Sequence, residues 1–232
     1  MELICVSLAR VVAFLEVIGI DPKGVTSVSE SLASLTERYK FEKTPQSISE
    51  LDFQKGVELV AGRLDSIRID KVTLYANAVS VDTHSSTDEC DIVLDDLLEW
   101  AEQFAGGILI PNRKGYVSNL VVKSNVDLGR MNRVLGEIAG IVSSVVSSGL
   151  GQDFRFEATS VFIGCDHTQT KLTPIAFSID RRSETPFWDN TYYSAAPVST
   201  NVHLDLIGKF EEALVMRPHQ EMIDGPEAMA LI

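Results

Sequence analysis

The chain has 232 residues, 45% hydrophobic and 23% charged, with 20 Lys and Arg against 33 Asp and Glu for a formal net charge of −13. That composition is ordinary for a folded globular protein and excludes wholesale disorder or a collagen-like repeat. The acidic balance also disfavours generic nucleic-acid binding, because phosphate backbones repel it.

The N-terminal run carries Glu2, Arg10 and Glu16 among apolar residues. That fits a buried element better than the positive start and unbroken apolar block of a signal peptide. The longest uncharged stretch, residues 138–152, is too short to span a bilayer and includes Ser143, Ser144, Ser147 and Ser148. Cys5, Cys90 and Cys165 are odd in number and far apart, which argues against a disulfide framework or a zinc ribbon. Each is expected as a small buried side chain. A soluble, cytoplasmic protein of bacterial or phage type is expected, with no cofactor and no membrane contact.

Residues 11–18 are β-branched and predict a strand, closed by a turn at Asp21-Pro22-Lys23-Gly24. A helix follows over 27–40, with Ser27 and Glu30 as a capping box and Val28, Leu32, Leu35 and Tyr39 at helical spacing. Strands are predicted at 57–61, 67–75 and 79–83, the last two joined by a short turn at Ala76-Asn77-Ala78. Ser86 and Glu89 open the next helix, which buries Val93, Leu94, Leu97, Leu98, Ala101 and Phe104 and ends at Gly106-Gly107. Residues 108–115 read as a connection, punctuated by Pro111, Asn112 and Gly115. A strand at 116–123 and a helix from Asp127 to about residue 148 follow. Residues 154–163 and 175–180 predict neighbouring strands, 187–197 an irregular aromatic loop, and 200–214 a last helix with Leu204, Ile207, Phe210 and Leu214 inward. Residues 217–232 lose periodicity and read as a mobile tail.

Consecutive strands argue against a purely parallel sheet. The expected fold is α+β, a mostly antiparallel or mixed sheet covered by about four helices in one domain over 1–216. Its halves, 1–107 and 115–216, share a loose element order without a residue-level repeat.

Three features stand above background. From Val72 to Asn112 there is no Lys or Arg, while Asp88, Asp91, Asp95, Glu99 and Glu102 fall on one helix face. Such a face either keeps the protein soluble or docks a basic protein partner. Leu128, Met131, Leu135, Ile138, Val142 and Val145 step by three and four in the manner of a coiled-coil seam, beside a row of Gly136, Gly140, Ser144 and Ser148. This predicts a helix buried on two sides, central in its own domain or packed on another subunit. Arg181, Arg182, Phe187, Trp188, Tyr192 and Tyr193 combine the residue types that dominate binding hot spots. The bland alternative is a loop folded back over the core.

Catalytic motifs are scarce. Gly19 and Gly24 have P-loop spacing, but Val25 stands where the phosphate-binding lysine belongs. Asp82 with His84, and Asp166 with His167, follow predicted strands. If those strand ends met, the four side chains could hold a divalent metal or supply an acid and a base, as in a hydrolase or transferase. Aspartate and histidine are also common turn residues. Three readings follow: a non-enzymatic, self-associating interaction protein; a metal-dependent hydrolase or transferase; and a small-ligand sensor built on residues 186–193.

Overall fold

In a computed structural model of the chain, residues 1–20, 27–105, 107–128, 133–169 and 173–216 are described. In chain order they form β1 (Glu2–Ile20), α1 (Val28–Tyr39), β2 (Val57–Leu64), β3 (Ile67–Leu74), β4 (Ala78–Thr83), α2 (Thr87–Ala105), β5 (Gly107–Lys123), α3 (Arg133–Leu150), β6 (Ser160–Ile163), β7 (Phe177–Arg181), β8 (Thr191–Ala196) and α4 (Thr200–Met216). The strands make one eight-stranded antiparallel sheet in the order β2-β3-β4-β1-β5-β8-β7-β6. The fold class is α+β, as the residue pattern predicts.

Local signals account for several elements. At α1 the Glu30 amide donates to Ser27 Oγ at 3.2 Å and the Glu30 carboxylate accepts from the Ser27 amide at 2.9 Å, a complete capping box. A cap of this kind contributes about 1 kcal/mol. At α2 the Glu89 amide donates to Ser86 Oγ at 3.2 Å, while the Glu89 carboxylate takes the Ser85 hydroxyl. The Tyr75 amide donates to the Ala78 carbonyl at 2.8 Å and closes the β3–β4 hairpin where the sequence places it.

Other boundaries differ from expectation. β1 begins at Glu2 rather than near residue 11, and the expected connection at 108–115 is the first half of β5, paired with the end of β1. Pro111 is tolerated because the register slips there: Phe14 faces Arg113, but Leu15 faces Pro111. A bulge relieves the missing proline N–H. β8 replaces most of the expected aromatic loop, and only Phe187–Asp189 forms a short 3-10 turn. β6 starts at Ser160, not 154. The turn at 21–24, the cap residue Gly106, Met131 and the tail at 217–232 lie outside the described residues.

The sheet order reads the same from either end, with β1 and β5 at the centre. Each half runs strand, helix, three strands, helix, so β1 to α2 and β5 to α4 are topological repeats. Ala9 and Ser118 pair with each other on the two central strands. Ala9 also pairs with Thr83, and Ser118 with Ala196, positions 196 − 83 = 113 apart. The same offset appears where α2 and α4 start. The Thr87 amide donates to Thr200 Oγ1 at 3.0 Å and the Thr200 amide donates to Thr87 Oγ1 at 2.9 Å, a reciprocal cap across 113 residues. Asn201 Nδ2 donates to Asp88 Oδ2 at 2.8 Å with that offset again.

The core lies in two clusters. Leu35, Tyr39, Leu59, Ile69, Val93, Leu94 and Leu97 join α1, α2 and the first-half strands. Leu120, Val122, Leu128, Ile179, Tyr192, Ile207 and Leu214 join α4 to the second-half strands. The expected inward positions of α4 are therefore correct for Ile207 and Leu214, which are buried, while Leu204 and Phe210 pack at the cluster's margin.

Candidate interaction surface

α3 carries the feature that the core does not explain. Its sequence is apolar or small around most of its circumference, with Arg133 and Glu137 its only charged residues. Ile138 is 51% exposed and Val145 65%, and Leu135 and Val142 are exposed beside them. Val134, Ile141 and Leu150, off the expected seam, are exposed as well. Leu128, placed on the same seam by spacing, lies instead in the second core cluster. The two-sided burial expected of this helix is therefore absent within the described residues of one chain.

One side of α3 is occupied. Ser143 Oγ accepts from the Phe156 amide at 2.9 Å and Ser147 Oγ from the Phe154 amide at 2.8 Å, so the chain after the helix runs back along it. The glycine row is open: a Cβ at Gly136 or Gly140 would meet nothing within 4 Å. Phe156, Phe162 and Ile163 add exposed apolar area in the following segment. Isolated surface leucines need no explanation, but a contiguous apolar patch marks an interaction site.

The aromatic–arginine segment divides in two. Arg181 is buried: its guanidinium donates to the Phe187 carbonyl at 2.7 Å, lies 3.5 Å from Asp127 and from Glu157, and sits 5.0 Å from the Phe187 ring centre and 5.2 Å from that of Tyr192. Tyr192 is fully buried on β8. These residues build the turn rather than present it, as the folded-back alternative anticipates. Trp188, 79% exposed, remains available with Arg182 and Tyr193.

The acidic face of α2 is partly neutralised by residues outside the cation-free window. Lys114 of β5 lies 2.9 Å from Asp91 and 3.5 Å from Asp95. Arg38 of α1 makes a bidentate pair with Asp96 at 3.0 and 2.6 Å, and the Tyr39 hydroxyl donates to the same carboxylate at 2.5 Å. Burial pushes the Asp96 pKa up, but these donors and the Arg38 charge outweigh it and hold it below the usual range. Asp88, Asp95, Glu99 and Glu102 stay exposed.

The candidate metal ligands occupy separate places. Asp82 is buried and held by Arg10 through two hydrogen bonds of 2.6 Å, on neighbouring strands in direct register. His84 Nδ1 is 2.7 Å from the Ser7 carbonyl oxygen. Asp166 accepts from the amide and hydroxyl of Thr168, and His167 Nδ1 lies 3.4 Å from Cys165 Sγ. β4 and β6, which precede the two pairs, are five places apart in the sheet. At about 4.8 Å per strand, that is about 24 Å. Among the described residues, no three His, Cys, Asp or Glu side chains are grouped as a metal site needs. Cys90 is buried as expected, whereas Cys5 and Cys165 are exposed.

His203, which the sequence places on the last helix without an evident partner, has one in Ser194. It is fully buried on α4, with Nε2 2.8 Å from Ser194 Oγ and, among the described residues, Nδ1 without a hydrogen bond. Ser194 donates its one proton to the Ser178 carbonyl, so the ring donates from Nε2. Burial lowers its pKa to about 4, against the pull of the Ser118 carbonyl. Its counterpart at 203 − 113 = 90 is Cys90, whose thiol burial pushes up to about 11 and which donates to the Ala9 carbonyl at 3.3 Å. The Ser-Thr pairs at 86–87 and 199–200 are the sequence signal that could have exposed this relation.

The surface also carries clefts. One, of about 310 Å³, opens on the sheet face away from the helices and is lined by Arg10, Phe14, Phe53 and Tyr75. Another, of about 240 Å³, is apolar and lies between Leu35, Leu97, Trp100 and Leu109. No helix among the described residues is long and apolar enough to cross a membrane. No protein-family model matches the chain, and no curated protein matches it.

Proposed function

We propose that this chain is a non-enzymatic interaction protein that self-associates through the apolar surface of α3. The carrying observation is the exposure of Leu135, Ile138, Val142 and Val145 on a helix that has almost no charge. In water that surface is costly to leave bare, at about 25 cal/mol per Å². Its three-four spacing suits a second helical surface. The acidic α2 face is a weaker docking element, because Lys114 already offsets part of it. Two exposed free cysteines suit a reducing compartment and support a cytoplasmic location as part of this reading.

Light scattering across micromolar concentrations, at low and high salt, tests this reading. An apolar interface between copies of net charge −13 is expected to persist or tighten as salt screens their repulsion. Ile138→Asp is expected to leave a folded monomer. A wild-type monomer throughout, or association lost only at high salt, would contradict the proposal.

A further inference from the structure

The repeat shows what covers this position in the other half. α1, the helix between the first two strands of the first half, buries Leu35 and Tyr39 against the sheet and α2. Trp100 Nε1 donates to Ser34 Oγ at 3.2 Å, and Arg38 and Tyr39 hold Asp96. α3 occupies the same place in the order of the second half, but it does not take the same place on the core. Matched positions record the difference. Val93 on α2 is fully buried, whereas its α4 counterpart at 93 + 113 = 206, Leu206, is 39% exposed. Ile163 pairs with Phe177, on the side of β6 that faces the helices, and is 62% exposed. Among the described residues, the second half thus exposes two apolar surfaces, the one on α3 around Ile138, Val142 and Val145 and the α4–β6 face that a helix in the position of α1 would cover.

We infer that each covers the other across a dimer: α3 of one copy packs on the α4–β6 face of a second copy, and the exchange is reciprocal. The inference rests on the self-association reading and names the surface that α3 meets. A second copy is the occupant because it brings both complements at once. Two helices and two faces close under two-fold symmetry and leave neither bare. A foreign partner would cover one surface and leave the other. Gly136 and Gly140, open in the single chain, would let the helix backbone approach the α4 face closely.

The test uses full-length chains in which Cys5→Ser and Cys165→Ser remove the exposed thiols. One tagged chain carries Ile138→Cys and a differently tagged chain carries Leu206→Cys. The two are refolded together and treated with a short bis-maleimide. The expected result is a covalent dimer holding both tags, with little product from either chain alone. Leu206→Asp, like Ile138→Asp, is expected to raise the dimer dissociation constant by about 100-fold with the circular dichroism spectrum and melting transition kept. Cross-linking of Ile138→Cys chains to each other alone, with a dimer that survives Leu206→Asp, would overturn the helix exchange and leave self-association standing. A chain carrying both cysteines that links within itself and sediments as a monomer would overturn both, as would a monomer with no cross-link.

Discussion

The two halves share an element order and a sheet order, yet they complete their cores differently. In the first half, α1 is tied to α2 by a bidentate arginine pair, a tyrosine hydroxyl and an indole N–H, and Leu59 and Ile69 are fully buried. In the second half, α3 holds the chain that follows it through Ser143 and Ser147, and apolar side chains on α3, α4 and β6 remain open. The comparison separates topology from completion. The order of strands is set by the antiparallel ladder, whereas burial depends on whether the crossover helix lies down on the sheet. A half that lacks this cover leaves apolar surface open in place of a closed core.

Matched substitutions on the two crossover helices give the largest expected contrast. Leu35→Asp puts a carboxylate into a site that is 3% exposed, and is expected to cost about 4 kcal/mol or more in urea unfolding. Ile138→Asp on α3 is expected to change the stability of the dilute protein by less than about 0.5 kcal/mol while removing association. Equal losses would mean that α3 is as integral as α1.

Next in size is the interior of the second half. Arg181→Ala leaves the buried Glu157 without one of its two arginine partners and removes the support of the Phe187 carbonyl. A cost of about 3 kcal/mol is expected, measured by denaturant titration. A neutral result would return Arg181 to the surface role suggested by its neighbours. Trp188→Ala, at an exposed position, is the control and is expected to be near neutral.

The matched positions Cys90 and His203 should answer acid differently. His203 has a folded pKa of about 4 against about 6.5 when unfolded, so the unfolded chain binds the extra proton between those values. Its contribution is fully present above pH 6.5 and is lost as pH falls toward 4, at a slope of at most about 1.4 kcal/mol per pH unit. The Cys90 thiol, pushed up to about 11, does not titrate in that window. Stability measured from pH 7 to 4.5 is expected to fall in the wild type and to be flatter in His203→Gln. Parallel curves would show that the ring does not titrate as its burial requires.

The smallest effect lies at the junction of the halves. Thr87→Val and Thr200→Val should each cost about 1 kcal/mol, because each hydroxyl accepts from the first amide of the other's helix. The two caps are separate bonds, so additivity in a double-mutant cycle would indicate independence. Coupling would show that the helix starts move as one unit.

Much of this architecture is legible in residue patterns, and the failures have physical causes. The caps at Ser27 and Ser86 mark helix starts because each hydroxyl satisfies a local amide. β5 is hidden because Pro111 and Gly115 usually punctuate, and only the bulge at Asn112, within β5 itself, makes a proline acceptable there. β8 is hidden because Tyr192 and Tyr193 point to opposite faces, one into the core, and a cluster in sequence becomes a separation in space. The acidic face reads as unopposed because Lys114 arrives from outside the window. The α3 seam is legible as apolar spacing, but spacing alone does not say whether the mate is in the same chain. The repeat shows in the sheet order and in the shared Ser-Thr helix starts, while core positions such as Val93 and Leu206 keep apolar character without keeping burial.

Hydrogen–deuterium exchange of the wild-type chain at low and high protein concentration compares α1 and α3 in one experiment. The account predicts that α3 amides gain protection as concentration rises, whereas α1 amides are protected throughout. Protection of α3 that is independent of concentration would contradict it, because the helix would then find its cover, or do without one, inside a single chain.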